Sequence, residues 1–556
     1  MRVSMHARST LTLLLALCSA PVADAQSSAS GYHAPAQIAE ELAALIAAAP
    51  ARARVLQFPQ LAAAGLSAIE LAAPGEVDPR ARPTLLVLGG LDGVSLAGCE
   101  AALNCARALA SDASPLGPDV SVVVVPCASP QALERYLVLG RGDGGDATPV
   151  DRDRDGRSDE DGPDDVDGDG LVLSMLLEDP AGRWVLSDDE RFLVEARAGD
   201  APRLSLVPEG RDDDRDGAFN EDGPGGVVLE RNFPLERPAA DPLAGPLPLS
   251  QPASRALADF VLARKVFAVV LLQGSHGWLA SPGGSESIER WAEPDRGLYE
   301  LCVRELRSTT SRAQSDVLAL RAARFGTVGG GAQDWFAVVA GALALELAPW
   351  GPHVAEPARG ATLDARFRVP EVGGEGARPP LERDRRWTSY LDNVTGGSAF
   401  VAWTPHVVDG VRVRIGGWKP WTIENPPPTE LPRVLAGIER FVLALAKGAP
   451  KLELEVTATR DGGIATLRGR VRNVGRLPTS LAASSAVGAA ASVTLEFVLE
   501  DGQQLLAGRE SDALPRLVGG EASVEREWVV LTSADKPLRL RASAPWCNAV
   551  EREVRP

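Results

Sequence analysis

Cationic charge is scarce in this chain. Against 75 Asp and Glu stand only 57 Lys and Arg, a formal net charge of −18 at pH 7. That balance speaks against a partner such as nucleic acid or anionic lipid, which needs clustered Lys and Arg. Aromatic residues make up 5%, so the cores must be built from aliphatic and small side chains. Five cysteines follow residue 25 (Cys99, Cys105, Cys127, Cys302 and Cys547), with no C-x-x-C pair among them. Their number and spacing exclude a disulfide framework and a thiolate zinc site. They read as buried small hydrophobes, with one oxidised pair open to an exported protein. Beyond the N-terminal segment there is no apolar run long enough to span a bilayer. No P-loop or dinucleotide glycine motif follows a strand, and Gly274-Ser275-His276-Gly277 lacks the spacing of a nucleophile elbow.

What is present is a chain of 556 residues, 45% hydrophobic and 24% charged, which is globular in composition and long enough for two to four domains. Arg2 and Arg8 precede the apolar run Leu11 to Ala20 and the small residues around Ala23-Asp24-Ala25. This predicts a signal peptide over residues 1–25, cleaved before Gln26, and a periplasmic or extracellular protein. The runs TLLVLGG (from Thr84), VSVVVVP (from Val120), VFAVVLLQ (from Val266) and ALALEL (from Ala342) read as buried strands. Helical patterns cover 36–50, 96–110 and 254–264. Continuous apolar strands alternating with helices predict an α/β fold, a mixed and largely parallel sheet between helices, over residues 26–448. After the proline cluster Asn425-Pro426-Pro427-Pro428, one amphipathic helix is expected from Glu430 to Lys447. Strict alternation then begins, with a hairpin turn at Asp461-Gly462-Gly463, predicting an all-β sandwich over 450–556.

Residues 151–163 read DRDRDGRSDEDGP, and residues 212–224 read DDDRDGAFNEDGP, the same pattern sixty-one residues on. A third D-x-D-x-D-G lies at Asp165, Asp167, Asp169 and Gly170. Alternating carboxylates that end in a glycine turn can converge on one hard cation, and Ca²⁺ accepts six to eight oxygens. The candidate ligands are Asp151, Asp153, Asp155, Glu160, Asp165, Asp167, Asp169, Asp212, Asp214, Asp216 and Glu221. The loops are not EF-hands, because the twelfth position is Gly162, Leu176 or Gly223 in place of a bidentate Glu. Together they form an Asp-rich insertion at about 140–224.

Just after it comes GGVVLERNFP (Gly225 to Pro234), and here the chain resembles the M14 zinc carboxypeptidases; IGGWKPW (Ile415 to Trp421) and the N-P-P-P cluster fit the same type. The resemblance covers roughly 36–448 and implies the following roles. Arg231, with Asn232 beside it, would hold a substrate carboxylate, although Glu230 stands where the family has Asn. The His-x-x-Glu zinc motif after the first strand falls on Asp92 and Ser95. The distant histidine falls on Gln273 or Gly274, with His276 just beyond. The catalytic glutamate falls on Glu346, and Ser129-Pro130-Gln131-Ala132 replaces N-P-D-G. With the ligands so altered, the resemblance implies a catalytically impaired, calcium-loaded homologue that binds peptide ends or cell-surface components, and makes zinc doubtful. Two alternatives stand beside it: an active metallocarboxypeptidase in which Asp92 and His276 gain a third ligand, and a structural or adhesive surface protein.

Overall fold

The computed structural model describes residues 31–140, 142, 144–149, 151, 156–220, 225–235, 237, 241–274, 279–280, 282, 295–310, 331–351, 382–483, 493–520, 522–533 and 536–555. The chain opens with α1 (Pro35–Ala48), β1 (Ala53–Val55), α2 (Pro59–Ala63), β2 (Ile69–Leu71), β3 (Thr84–Gly89), α3 (Leu96–Ala110), β4 (Ser121–Val125) and α4 (Pro130–Leu139). The acidic insertion carries β5 (Ser174–Glu178), β6 (Trp184–Leu186), β7 (Leu193–Glu195) and β8 (Leu204–Pro208). There follow α5 (Pro252–Ala263), β9 (Val266–Leu272), β10 (Leu279–Ala280), α6 (Arg296–Thr309), α7 (Ala332–Val338), β11 (Leu343–Leu347) and α8 (Glu382–Thr395). The hairpin β12 (Phe400–Val408) and β13 (Val411–Trp418) leads to α9 (Leu431–Leu435) and α10 (Ile438–Lys447).

The four apolar runs become β3, β4, β9 and β11, and every residue in them is buried. Full burial of successive side chains, which point to opposite faces, requires cover on both faces. Helix α3 lies against β3, β4 and β9, and α7 against β9 and β11. The sheet order is β1-β2-β4-β3-β9-β11-β10. Its centre, β4-β3-β9-β11, is parallel, and its two edges are antiparallel. At one edge the buried Glu70 of β2 faces Arg54 of β1 at 3.0 Å and Arg264, at the end of α5, at 2.6 Å. A carboxylate taken that far from water persists because two guanidinium groups hold it.

A second sheet was not foreseen. Strands β5 to β8 of the insertion pair with the β12–β13 hairpin in the order β12-β13-β5-β8-β6-β7. The Gly-Gly-Trp stretch ends β13, with Gly416 opposite Ser174. The expected helix over 430–447 is two helices, broken at Gly437. There φ is +89°, and a Cβ would lie 2.2 Å from the carbonyl oxygen of Thr309, so the end of α6 passes too close for a side chain.

The C-terminal region comprises β14 (Leu452–Asp461), β15 (Ile464–Asn473), β16 (Val493–Val498), β17 (Gln504–Ala507), β18 (Ser511–Leu514), β19 (Ala522–Leu531), β20 (Leu538–Ser543) and β21 (Val550–Val554). They form two four-stranded antiparallel sheets, β14-β15-β19-β17 and β18-β16-β20-β21, which share one core around Leu467, Phe497, Trp528 and Leu540. The seam with the α/β part is built, not bare linker. Leu477, Leu481 and Trp546 join the core of the α/β part. The buried Asp295 accepts the amides of Ala482 and Ala483 and pairs with Arg516 at 3.0 Å.

The five cysteines after residue 25 are buried free thiols, so the oxidised pair left open by the sequence is not formed among them. Burial pushes Cys302 and Cys547 up to about 12, which removes the reactive thiolate. Among the described residues no helix is long and apolar enough to cross a membrane.

At the start of α1, His33 Nδ1 meets both carboxylate oxygens of Glu100 on α3, at 2.9 and 3.0 Å. The hydrogen bond to Glu100 raises the imidazole above its ordinary 6.5. A raised folded pKa adds stability that is complete below the unfolded value and disappears as pH climbs through the folded one. His33→Gln should therefore cost stability at about pH 6, and the gap to wild type should narrow by about pH 9. Urea midpoints at the two pH values check this; a gap that widens with pH would contradict it.

Candidate functional site

Three adjacent parallel strands, β3, β9 and β11, end side by side, the place where open α/β sheets present ligand-binding groups. The turn after β3 carries Asp92 and Ser95, the turn after β9 carries Gln273 and Gly274, and β11 carries Glu346. All four polar side chains are buried. The structure sets Asp92 and Ser95 against Gly274, and Glu346 against the neighbouring Gln273. His276 lies outside the described residues.

The Asp92 carboxylate is engaged on both oxygens. Oδ1 accepts the amides of Val94 and Ser95 at 3.3 and 3.1 Å. Oδ2 accepts the Ser95 hydroxyl at 2.7 Å and the Gly274 amide at 3.0 Å. Gly274 N–H is shared with Ser95 Oγ at 2.9 Å. A carboxylate offers about four lone-pair positions, so these contacts fill them. The group acts as a cap on the turn into α3 and as a tie between the ends of β3 and β9.

The same turn is held from outside. Asn425 of the N-P-P-P cluster donates to Val94 O at 2.8 Å and accepts Ala97 N–H at 2.9 Å. Gly144, at φ +84°, lies so close over the turn that a Cβ would sit 1.9 Å from Asp92 O. Sequence reading found the N-P-P-P cluster but not this role, which depends on a contact across more than three hundred residues.

Beside the tie, Gln273 Nε2 donates to Glu346 Oε2 at 3.1 Å, and Gln273 Oε1 is buried with no partner among the described residues. Among the described residues these strand ends offer a hydrogen-bonded carboxylate, a bonded hydroxyl, a primary amide and the Glu346 carboxylate, and no imidazole.

Of the predicted substrate residues, Arg231 ends the short turn Leu229–Arg231, which packs against α5 and α7, and Asn232 caps it. Arg231 is half-buried and paired with Asp241 at 3.3 Å. The Asn232 amide has no capacity left for a substrate. It donates to Ala244 O, Leu247 O and Ser250 Oγ, and accepts from Gln251 N and Ser254 Oγ. Asn232 therefore shapes the loop ahead of α5.

The acidic loops share one backbone device. In each, the first Asp accepts the N–H of the glycine five residues on: Asp151 from Gly156 at 3.1 Å, Asp165 from Gly170 at 2.8 Å, and Asp212 from Gly217 at 3.1 Å. Carboxylate oxygens of Asp165, Asp167 and Asp169 lie within 4.8 Å of one another, as do those of Asp212, Asp214 and Asp216, so each trio could hold a metal ion. Asp153, Asp155 and Glu221 lie outside the described residues.

Glu160 is half-buried, and its neighbour Asp161 is fully buried. The Asp161 carboxylate reaches across to the second repeat, accepting Asp213 N–H at 3.3 Å and Asn220 N–H at 2.7 Å. Glu209, which sequence reading missed, does the same for the middle loop. It accepts Val166, Asp167 and Leu173 amides at 3.0, 3.3 and 2.7 Å, while burial pushes its carboxyl above the ordinary range. His406 of β12 comes to 3.8 Å from Asp167.

Residues 451–555 match the model of a domain of unknown function (DUF8731). No curated protein matches the chain. Among solved structures, carboxypeptidase A from Helicoverpa armigera is 12% identical, with a TM-score of 0.36 over 59% of this chain and 70% of that one. Thrombin-activatable fibrinolysis inhibitor is 10% identical, with a TM-score of 0.35 over 59% and 72%. A metallo-carboxypeptidase from Burkholderia cenocepacia is 12% identical, with a TM-score of 0.29 over 56% and 59%. Overlaps this loose say nothing of activity.

If Asp92 is a structural tie, removing it in metal-free protein should cost stability, since the buried amide and hydroxyl of Ser95 and the part-buried Val94 amide lose their acceptor and Gly274 N–H is left with Ser95 Oγ alone. Asp92→Ala should lose about 3 kcal/mol, Asp92→Asn about 2, and Ser95→Ala about 1. Chemical denaturation after chelator treatment checks the ranking; a neutral or stabilising Asp92→Ala would identify a carboxylate kept for a ligand.

Proposed function

We propose that this protein is an exported, carboxypeptidase-like binding protein that does not hydrolyse peptides. The observation that carries the reading is the saturation of Asp92 by Val94, Ser95 and Gly274 at the place where the resemblance puts a zinc ligand. Hydrolysis of an amide in that family needs a metal-bound water of lowered pKa. Here the first two ligand positions hold each other. Glu346 remains and accepts the Gln273 amide, which orients the carboxylate without supplying a nucleophile. A buried carboxylate beside an amide is suited to receiving a donor group of a bound peptide end or a cell-surface component. Arg231 offers a cation on the neighbouring turn once Asp241 yields it.

The acidic loops are assigned to calcium in the same reading. Two carboxylate trios and the shared turn geometry support it. The ties made by Asp161 and Glu209 would pass the order of a filled loop to the insertion. Calcium there is structural, holding the second sheet beside the strand ends.

Two measurements on the purified mature chain test these parts separately. Elemental analysis should find no tightly held zinc, and a hippuryl amino acid should be cleaved no faster with zinc than with a chelator. One zinc per chain with chelator-sensitive release would overturn the binding-protein reading. Calcium at several millimolar, above the weak affinity of about 10⁻⁴ to 10⁻³ M expected of such loops, should raise the melting temperature by a few degrees, roughly, through mass action. Magnesium should do less, and Asp165→Asn with Asp212→Asn should remove the effect. No shift with calcium would remove the metal from the account.

A further inference from the structure

A cavity of about 440 Å³ opens between α4, the acidic insertion and the segment that follows β13. None of the roles given above uses it. Its volume falls within the range of small-molecule sites. Trp418, Pro420 and Trp421 form an aromatic and apolar wall, and Ser174, Lys419 and Glu424 bring polar groups to the same space.

The wall is fixed before any ligand arrives. Trp421 sits at φ +65°, a conformation that bulky residues adopt only where the surroundings impose it. Its backbone N–H meets Gly140 O at 3.3 Å, and its indole N–H meets Tyr136 O at 3.1 Å. Trp418 is set edge-on to Phe400 and Phe192, with ring centroids 5.3 and 6.5 Å away. The two indoles are thus held by the protein's own contacts, which lowers the ordering cost of binding.

The charges point to a neutral ligand. Arg135 also lines the cavity, but its Nη1 is directed at the carbonyl oxygens of Gly145, Asp146 and Gly225, so it presents no open fork to a carboxylate. Lys419 and Glu424 oppose one another in sign, and Lys419 forms no ion pair among the described residues. Glu424 Oε2 accepts the Tyr136 hydroxyl at 3.2 Å. What remains is the Lys419 ammonium, the Glu424 carboxylate, the Ser174 hydroxyl and the Asn220 amide around flat apolar rings. A molecule with ring C–H faces and several hydroxyls satisfies both halves.

We propose that this cavity binds a neutral saccharide unit, with its ring against Trp418 and Trp421 and its hydroxyls on Ser174, Lys419 and Glu424. Maltose, cellobiose and N,N′-diacetylchitobiose serve as probes on the full mature chain. Tryptophan fluorescence and saturation-transfer NMR should give saturable binding of at least one, with a Kd of about 1 mM or tighter. Lys419→Gln and the cavity-filling Ser174→Leu should each weaken it about fivefold or more. Melting curves control for folding, and Lys419→Gln, on a half-exposed side chain, keeps the test valid should Ser174→Leu fold poorly. No saturable signal with any probe, or binding that Lys419→Gln leaves unchanged, overturns the proposal. So does a dipeptide that binds while every saccharide is excluded. Zinc content and peptide hydrolysis are indifferent to this outcome.

Discussion

Strands β3 and β9 run parallel and finish together, and the chain leaving each must be fixed against the other before anything can be built at their ends. Asp92 does this. Its carboxylate gathers the turn into α3 through Val94 and Ser95 and crosses to β9 through Gly274. Asn425 then clamps the same turn from the far end of the α/β region, and Gly144 lies flat against it. The cross-link is made of hydrogen bonds to a single buried carboxylate.

The same economy of parts recurs in the insertion. Acidic side chains that repel one another at the surface are tied down by two buried carboxylates, Asp161 and Glu209, each accepting main-chain amides from a loop other than its own. The two long repeats match in backbone as well as sequence, with Asp159 and Asn220 both left-handed at φ 58° and 57°. Sheet and loops thereby form one unit that leans on α4 and closes the cavity beside Trp421.

The centre of the fold was legible because its strands are continuous apolar runs, and burial on both faces leaves such runs no other reading. Helix α3 was legible from its spacing. The antiparallel edges and the second sheet were not: strands of three to five residues such as Ala53–Val55 or Leu193–Glu195 carry too little pattern, and their pairing is decided by distant partners. The break at Gly437 was hidden because the apolar period runs through it, while its cause lies in Thr309. At the site, motif spacing singled out Asp92, Ser95 and Glu346. It could not reveal that Asp92 is saturated, that Gln273 reaches Glu346, or that Asn232 is consumed internally, since each depends on a contact remote in sequence.

In the proposed function Asp92 and Ser95 are closed to metal by their own hydrogen bonds. Crystals of the mature protein soaked in zinc, with anomalous data collected on both sides of the zinc edge, test it most directly. The expected result is no anomalous peak between Asp92, Ser95 and Gln273, with Gly274 N–H still on the Asp92 carboxylate. A zinc peak bound by Asp92, with Ser95 turned away and the Gly274 bond broken, would contradict it.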